Sequence, residues 1–224
     1  MSEQLTLKQR IHNSEIINIG GAPTSASKSE LEAILNQDSY DLIGTDAQHS
    51  AFNEEKLVSF CANLEELGMP VQLRIKHTRN AYLIGNILDL GPLAIVVPQV
   101  ETEATVDEAI DAFYYSPIGK RSWGPSSGYG FKPDMERLEY AEWWNNNGIL
   151  SLQLESVDAI INARKLAKPG VDMLMFGAND LGFSLETYPN PPFKTVEECF
   201  QHVVEQMEGT QVKVGVGYTP GGRL

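Results

Sequence analysis

Residues 149–181 read ILSLQLESVDAIINARKLAKPGVDMLMFGANDL, and the reading of this stretch decides the fold. Apolar residues alternate in its first part. Leu150, Leu152 and Leu154 share one face, while Ile149, Ser151, Gln153 and Glu155 share the other. That pattern is a strand with a carboxylate at its C-terminal tip. Met173–Phe176 is an apolar run of the right length for a buried strand, and it ends in Gly177 and a polar turn holding Asn179 and Asp180. The segment between is helical, with Val157, Ile160, Ile161 and Leu166 as its apolar positions. Two parallel strands joined by such a crossover stand side by side, so Glu155 and Asp180 meet at the top of a sheet. A hard divalent cation with open positions for substrate suits that geometry. Spacing alone equally allows Glu155 to cap a helix and Asp180 to make a turn.

Outward from there, strand and helix alternate along the chain. Expected strands cover Ile16–Ile19, Asp41–Thr45, Val71–Ile75, Ala94–Val97 and Val212–Val216. Expected helices run from a Ser27 cap to Leu35, from an Asn53 cap to a Gly68 stop, and over Ala81–Leu88, Thr105–Phe113, Pro133–Asn147 and Thr195–Met207. A long Gly/Ser/Pro-rich loop covers Ser116–Phe131, of the kind used as a functional lid. The alternation predicts one α/β domain over residues 1–224 with a parallel sheet. Its seven strands predict a TIM-type (β/α)8 barrel lacking the eighth strand and the C-terminal helices. A doubly wound sheet is the alternative, but no G-x-G-x-x-G follows the first strand, where GGAP stands.

The chain's 224 residues are 42% hydrophobic, enough for a sizeable core, and no apolar run reaches the roughly 18 residues of a membrane span. A net charge of -13 without a basic stripe argues against nucleic acid or an anionic membrane as partner. Cys61 and Cys199 lie far apart without metal-ligand spacing, and the N-terminus has no apolar signal region, so a reducing, cytoplasmic setting is expected.

In a barrel, function sits at the C-terminal strand ends. Asp46, Gln48, His49, Arg74, Gln153, Glu155 and Asp180 gather there, with Arg121 in the long loop. A histidine, an arginine and carboxylates from four strands make a small-anion site with a metal and a general base. Arg74, facing inward, needs an acidic partner or an anionic ligand, and the ligand is favoured. Arg121 is expected to be solvated. His12, His77 and His202 are given no role, and Trp143 and Trp144 are expected to serve packing. No lysine stands at a strand tip for a Schiff base.

DAQHS at 46–50, LR at 73–74, LDLGPLAIVVPQVET at 88–102, SPIGKRSWG at 116–124, QLES at 153–156 and GANDLGFSL at 177–185 together resemble the HpcH/HpaI-type aldolases, the metal-dependent class II pyruvate aldolases. The similarity runs in order from about Ile16 to Val216. It implies Glu155 and Asp180 as ligands of Mg²⁺, Mn²⁺ or Co²⁺, and Arg74 as the residue that contacts the oxo acid and steadies an enolate. His49 and Asp46 would form the acid/base network, and Gln153 would line the oxo-acid site. The backbone at Asn179 and Asp180 would cradle the substrate carboxylate, since N–H groups at a helix start bind anions. Asp89 matches an aspartate lent to a neighbouring subunit's site in an assembly that is commonly a hexamer. The sequence departs from the family pattern at Gln48, where the family has Glu. The expected reaction is reversible aldol cleavage of a 4-hydroxy-2-oxo acid to pyruvate (or a close 2-oxo acid) and an aldehyde, through a metal-stabilised enolate. Alternatives are a related lyase acting on another oxo acid or an acyl-CoA, and a non-catalytic homologue.

Overall fold

A computed structural model describes residues 5–215. Thr6 opens the described chain with a capping box: its hydroxyl accepts from the Gln9 amide while the Gln9 side chain returns to the Thr6 amide, starting α1 (Leu7–His12). There follow β1 (Ile19–Gly21), α2 (Lys28–Leu35), β2 (Leu42–Asp46), α3 (Glu54–Glu66) and β3 (Val71–Arg74). A 3₁₀ turn over Thr78–Leu83 leads into α4 (Ile84–Leu88), β4 (Ala94–Val97) and α5 (Glu103–Phe113). After the long loop come α6 (Arg137–Asn147), β5 (Ile149–Leu154), α7 (Val157–Ile161), α8 (Ala163–Leu166), β6 (Met173–Phe176), α9 (Ala178–Thr187), α10 (Val196–Gln206) and β7 (Lys213–Gly215).

All seven strands are parallel and lie in sequence order, β1 to β7, which yields a barrel-like sheet with helices on its outer face. The period of two sorts each strand's residues to the two sides. Val71, Leu73, Ile95, Val97, Leu150, Leu152, Leu154 and Leu174 face the helices and join one large buried cluster with Phe60, Phe113, Tyr140 and Trp144. The other side holds a smaller apolar cluster of Ile11, Ile17, Ile19, Leu42, Ala94 and Ile149 at the N-terminal end of the strands. Further along the same side the residues turn polar: Asp46, Gln72, Arg74, Ser151 and Gln153. One face of the sheet therefore grades from hydrocarbon at the bottom to charge at the top, as a barrel-type site requires.

The structure moves several expected boundaries. The first strand is Ile19–Gly21 rather than Ile16–Ile19, because Asp41 Oδ2 accepts from the Asn18 amide and admits the chain to the sheet only there, leaving Ile16 75% exposed. Residues 78–83 form a 3₁₀ turn ahead of a short helix, instead of one helix over 81–88. Here His77 Nδ1 accepts from the Arg79 amide and begins the turn early. The helix expected from Pro133 begins at Arg137, without a side-chain cap. The last strand begins at Lys213 rather than Val212, and Val216, its expected end, lies outside the described residues. Among the described residues there is no helix long and apolar enough to cross a membrane.

Candidate active site

Asp46 ends β2 and Arg74 ends β3, and the strand register places them opposite each other. The pairing is bidentate: Arg74 Nε donates to Asp46 Oδ1 at 2.8 Å and Nη2 donates to Oδ2 at 2.7 Å. Arg74 thus has an acidic partner in the protein, the less favoured of its two expected options. Its third nitrogen, Nη1, donates to Gln153 Oε1 at 3.4 Å. Asp46 also accepts from the amides of Gln48 and His49, at 2.9 and 3.3 Å. Burial alone would raise the Asp46 carboxyl, but the Arg74 hydrogen bonds and those two amides outweigh it and hold it below the usual aspartate value. A small cleft beside this pair is lined by Gly44, Asp46, Arg74, Val96, Gln153 and Met175.

Glu155 follows β5 and is buried. Its Oε2 accepts from the Gln99 amide at 3.1 Å, while its Oε1 is buried with no partner among the described residues. Burial first, and then the facing charge of Asp180, push Glu155 up to about 7, against the pull of Arg74 and the Gln99 amide. Asp180 sits in the first turn of α9, not in a loop, and no side chain caps that helix at Gly177. Two carboxylates within charge range of each other, one with an orphaned buried oxygen, fit a divalent cation. The fit extends to Gly177, where a Cβ would stand 2.6 Å from both Glu155 Cγ and Oε1 and 2.9 Å from Gln153 Nε2. Only glycine lets the backbone pass so close. Among the described residues no three His, Cys, Asp or Glu side chains cluster as a metal cage, so the protein ligands of a cation here would be these two carboxylates.

Of the residues expected at the site, Asp46, Arg74, Gln153, Glu155 and Asp180 are brought together. Asn179 precedes Asp180 on the same exposed first turn. His49 is exposed on the turn after β2, tied in through its main-chain amide, and its ring makes no hydrogen bond to the described residues. Gln48 Oε1 is buried there without a partner. Asp89 stands apart from this group. It caps the C-terminus of α4 and receives Arg121 Nη2 at 2.6 Å. Arg121 is not solvated as expected. Its side chain is fully buried between the rings of Tyr115 and Trp144, 4.7 and 4.5 Å from their centroids. The aromatic residues around the SPIGKRSWG loop were the available signal for that. Gln99, placed by its backbone, carried none. His12, given no role, bonds Asp172 Oδ1 at 2.8 Å, far from these residues at the N-terminal end of the sheet. Trp144 serves packing as expected, with no exposed surface.

The profile of the HpcH/HpaI aldolase/citrate lyase family matches residues 25–216. A 2-dehydro-3,6-dideoxy-6-sulfogluconate aldolase of Pseudomonas putida is 27% identical over 201 residues, 88% of this chain and 76% of the relative. A hydroxypyruvate/pyruvate aldolase of Rhizorhabdus wittichii is 26% identical over 211 residues, 90% of this chain and 82% of the relative. The crystal structure of an HpcH/HpaI aldolase from Desulfitobacterium hafniense superposes with a TM-score of 0.78 at 21% identity, covering 96% of this chain and 91% of that one. With the family profile matched over most of its length, this chain belongs to the HpcH/HpaI aldolase/citrate lyase family of carbon–carbon lyases.

Proposed function

We propose that the protein catalyses reversible aldol cleavage of a 4-hydroxy-2-oxo acid to pyruvate, or a close 2-oxo acid, and an aldehyde. The observation that carries this reading is the buried, orphaned Glu155 Oε1, in a carboxyl that feels the charge of Asp180, beside the Asp46–Arg74–Gln153 network. Glu155 and Asp180 would hold a divalent cation, Mg²⁺, Mn²⁺ or Co²⁺, with its remaining positions open. Bound there, the cation would supply Lewis acidity to the 2-oxo acid.

The chain's own residues do the rest. Asp46 holds Arg74 through two of its nitrogens, which aims Nη1 into the cleft as a preset donor for the oxygen that gains charge as the enolate forms. Gln153 lines the same oxo-acid site. The uncapped amides at the start of α9, around Asn179 and Asp180, take the substrate carboxylate. His49 stands at the mouth as the base that, through water, accepts the C4 hydroxyl proton. The C3–C4 bond then breaks, its electron pair passes into the enolate, and protonation at C3 completes the 2-oxo acid. Gln48 presents an amide where the resemblance implies a carboxylate, so it can orient a hydroxyl or water without charging the site.

We also read the seven strands as part of a (β/α)8 plan in one domain, working as a cytoplasmic homo-oligomer in which Asp89 of one copy faces the site of another. The test is deuterium exchange into the methyl group of pyruvate, followed by NMR, in EDTA-treated protein and after adding Mn²⁺ or Mg²⁺. Exchange that needs the cation and is lost in Glu155→Ala is the expected result. Folded, cation-loaded protein without exchange would instead favour a homologue that keeps the fold without the chemistry.

A further inference from the structure

We infer that Gln99 is a positioning residue for Glu155 and acts through its main chain. Gln99 follows β4 and Pro98 and has φ +51°, in the left-handed region where a non-glycine side chain is strained. Among the described residues only Ser14 and Asn190 share that condition. The Gln99 side chain is exposed, so packing of its amide group does not explain the conformation.

The conformation has a visible effect on hydrogen bonding. In extended backbone, successive N–H groups point to opposite sides. A left-handed residue turns neighbouring amides toward the same side. Here the Gln99 amide reaches Glu155 Oε2 at 3.1 Å, and the next amide, Val100, reaches the Gln153 carbonyl at 3.3 Å. Both bonds cross from the end of β4 to the end of β5. One anchors the backbone beneath the site; the other seizes one oxygen of its carboxylate. With Oε2 taken, Oε1 is left buried without a partner, pressed against the Gly177 backbone that leads into α9 and Asp180. Gln99 thereby selects which oxygen of Glu155 is left free against the turn into α9. The hydrogen bond stands by itself; its purpose rests on the cation reading of Glu155 given above.

Two measurements test this. Amide exchange by NMR on metal-free protein reads the bond directly. The Gln99 amide is expected to exchange at least about tenfold more slowly in wild type than in Glu155→Ala. Mn²⁺ binding followed by EPR reads the consequence. Gln99→Gly keeps the amide and removes the strain, so its Mn²⁺ affinity should stay close to wild type. Gln99→Val places a β-branched side chain where left-handed backbone is least tolerated, and its affinity should fall by roughly 10- to 100-fold, as for other groups that orient metal ligands. Equal exchange rates in wild type and Glu155→Ala overturn the inference. So does wild-type Mn²⁺ affinity in Gln99→Val that circular dichroism shows to be folded. If Gln99→Val does not fold, the exchange comparison decides. If wild type itself binds no Mn²⁺, the cation reading fails, and the exchange comparison still judges whether Gln99 holds Glu155.

Discussion

Arg74 commits Nε and Nη2 to the two oxygens of Asp46, and that leaves the fork with one orientation. A lysine in its place could neutralise Asp46 but would have no second arm fixed toward Gln153. Arg74→Lys is therefore expected to slow methyl exchange of pyruvate by about 10²-fold, the size of effect seen when one preset donor to a developing oxyanion is lost. Asp46 makes a separate prediction. Its carboxyl lies below the usual value in the folded protein, so its contribution to stability is present above the unfolded pKa and is lost as pH falls through the folded one. The difference in thermal midpoint between wild type and Asp46→Asn should be largest near neutral pH and close as the solution is acidified below the ordinary aspartate range. A gap that persists at acid pH would mean the ion pair is not its source.

At the scale of the element, the turn from β6 into α9 is where chain path and chemistry constrain each other. Gly177 has φ -96°, which any residue can adopt, so the need for glycine is one of space alone. Gly177→Ala puts a methyl group 2.6 Å from Glu155 Oε1 and must push the carboxylate aside. A loss of Mn²⁺ affinity of at least about tenfold is expected, with a stability cost of about 1–3 kcal/mol for the added volume. Calorimetric titration of the folded variant checks the first and urea denaturation the second. The α4 terminus offers a different case. Arg121→Met strands the Asp89 carboxylate, which burial already pushes up against the pull of Arg121, and should cost about 3 kcal/mol in urea unfolding. The double variant Arg121→Met/Asp89→Asn should recover part of that, since the two residues share one interaction.

These elements also divide what could be read from the chain from what could not. Ser27 and Asn53 start helices as expected because a cap is a local event, settled within three residues. The two faces of β3 and β5 follow from their period of two, and with them the inward aim of Arg74 and Gln153. Spacing alone leaves the nearness of Glu155 and Asp180 open, and the parallel register of β5 and β6, with the charge of Asp180 felt at Glu155, brings the two ends together. The burial of Arg121 is not legible in the sequence because its acid lies 32 residues away and one of its two aromatic walls, Trp144, comes from α6. Helix α1 is illegible for a related reason. Six residues with Ile11 as the buried one carry too little periodicity, and the helix stands by docking.

That docking matters to the whole molecule. The polar top of the sheet is useful only if the bottom is closed, and α1 closes it: Ile11 joins Ile19, Leu42, Ala94 and Ile149 beneath the polar residues. What pins α1 there is ionic. Asp172 is 2% exposed, accepts from the Leu150 amide at 2.8 Å, and faces Lys8 Nζ at 3.3 Å and His12 Nε2 at 2.8 Å. Lys8 also donates to Tyr114 Oη at 2.8 Å and the Gly148 carbonyl at 2.9 Å. Burial lowers the Lys8 pKa, and the charge of Asp172 opposes that fall without cancelling it. A lysine with a depressed folded pKa favours the neutral form in the fold, so its penalty is present at lower pH and is relieved as pH rises toward the ordinary lysine value. Asp172→Asn removes the opposing charge, deepens the depression, and leaves an ammonium buried without a counter-ion. The expected loss near neutral pH is about 3 kcal/mol, measured by urea denaturation. Stability of the variant should then climb toward wild type as pH is raised to about 10, and Lys8→Met in the same background should remove that climb. A pH-independent deficit in Asp172→Asn would mean that the α1 anchor is held by packing of Ile11 rather than by charge.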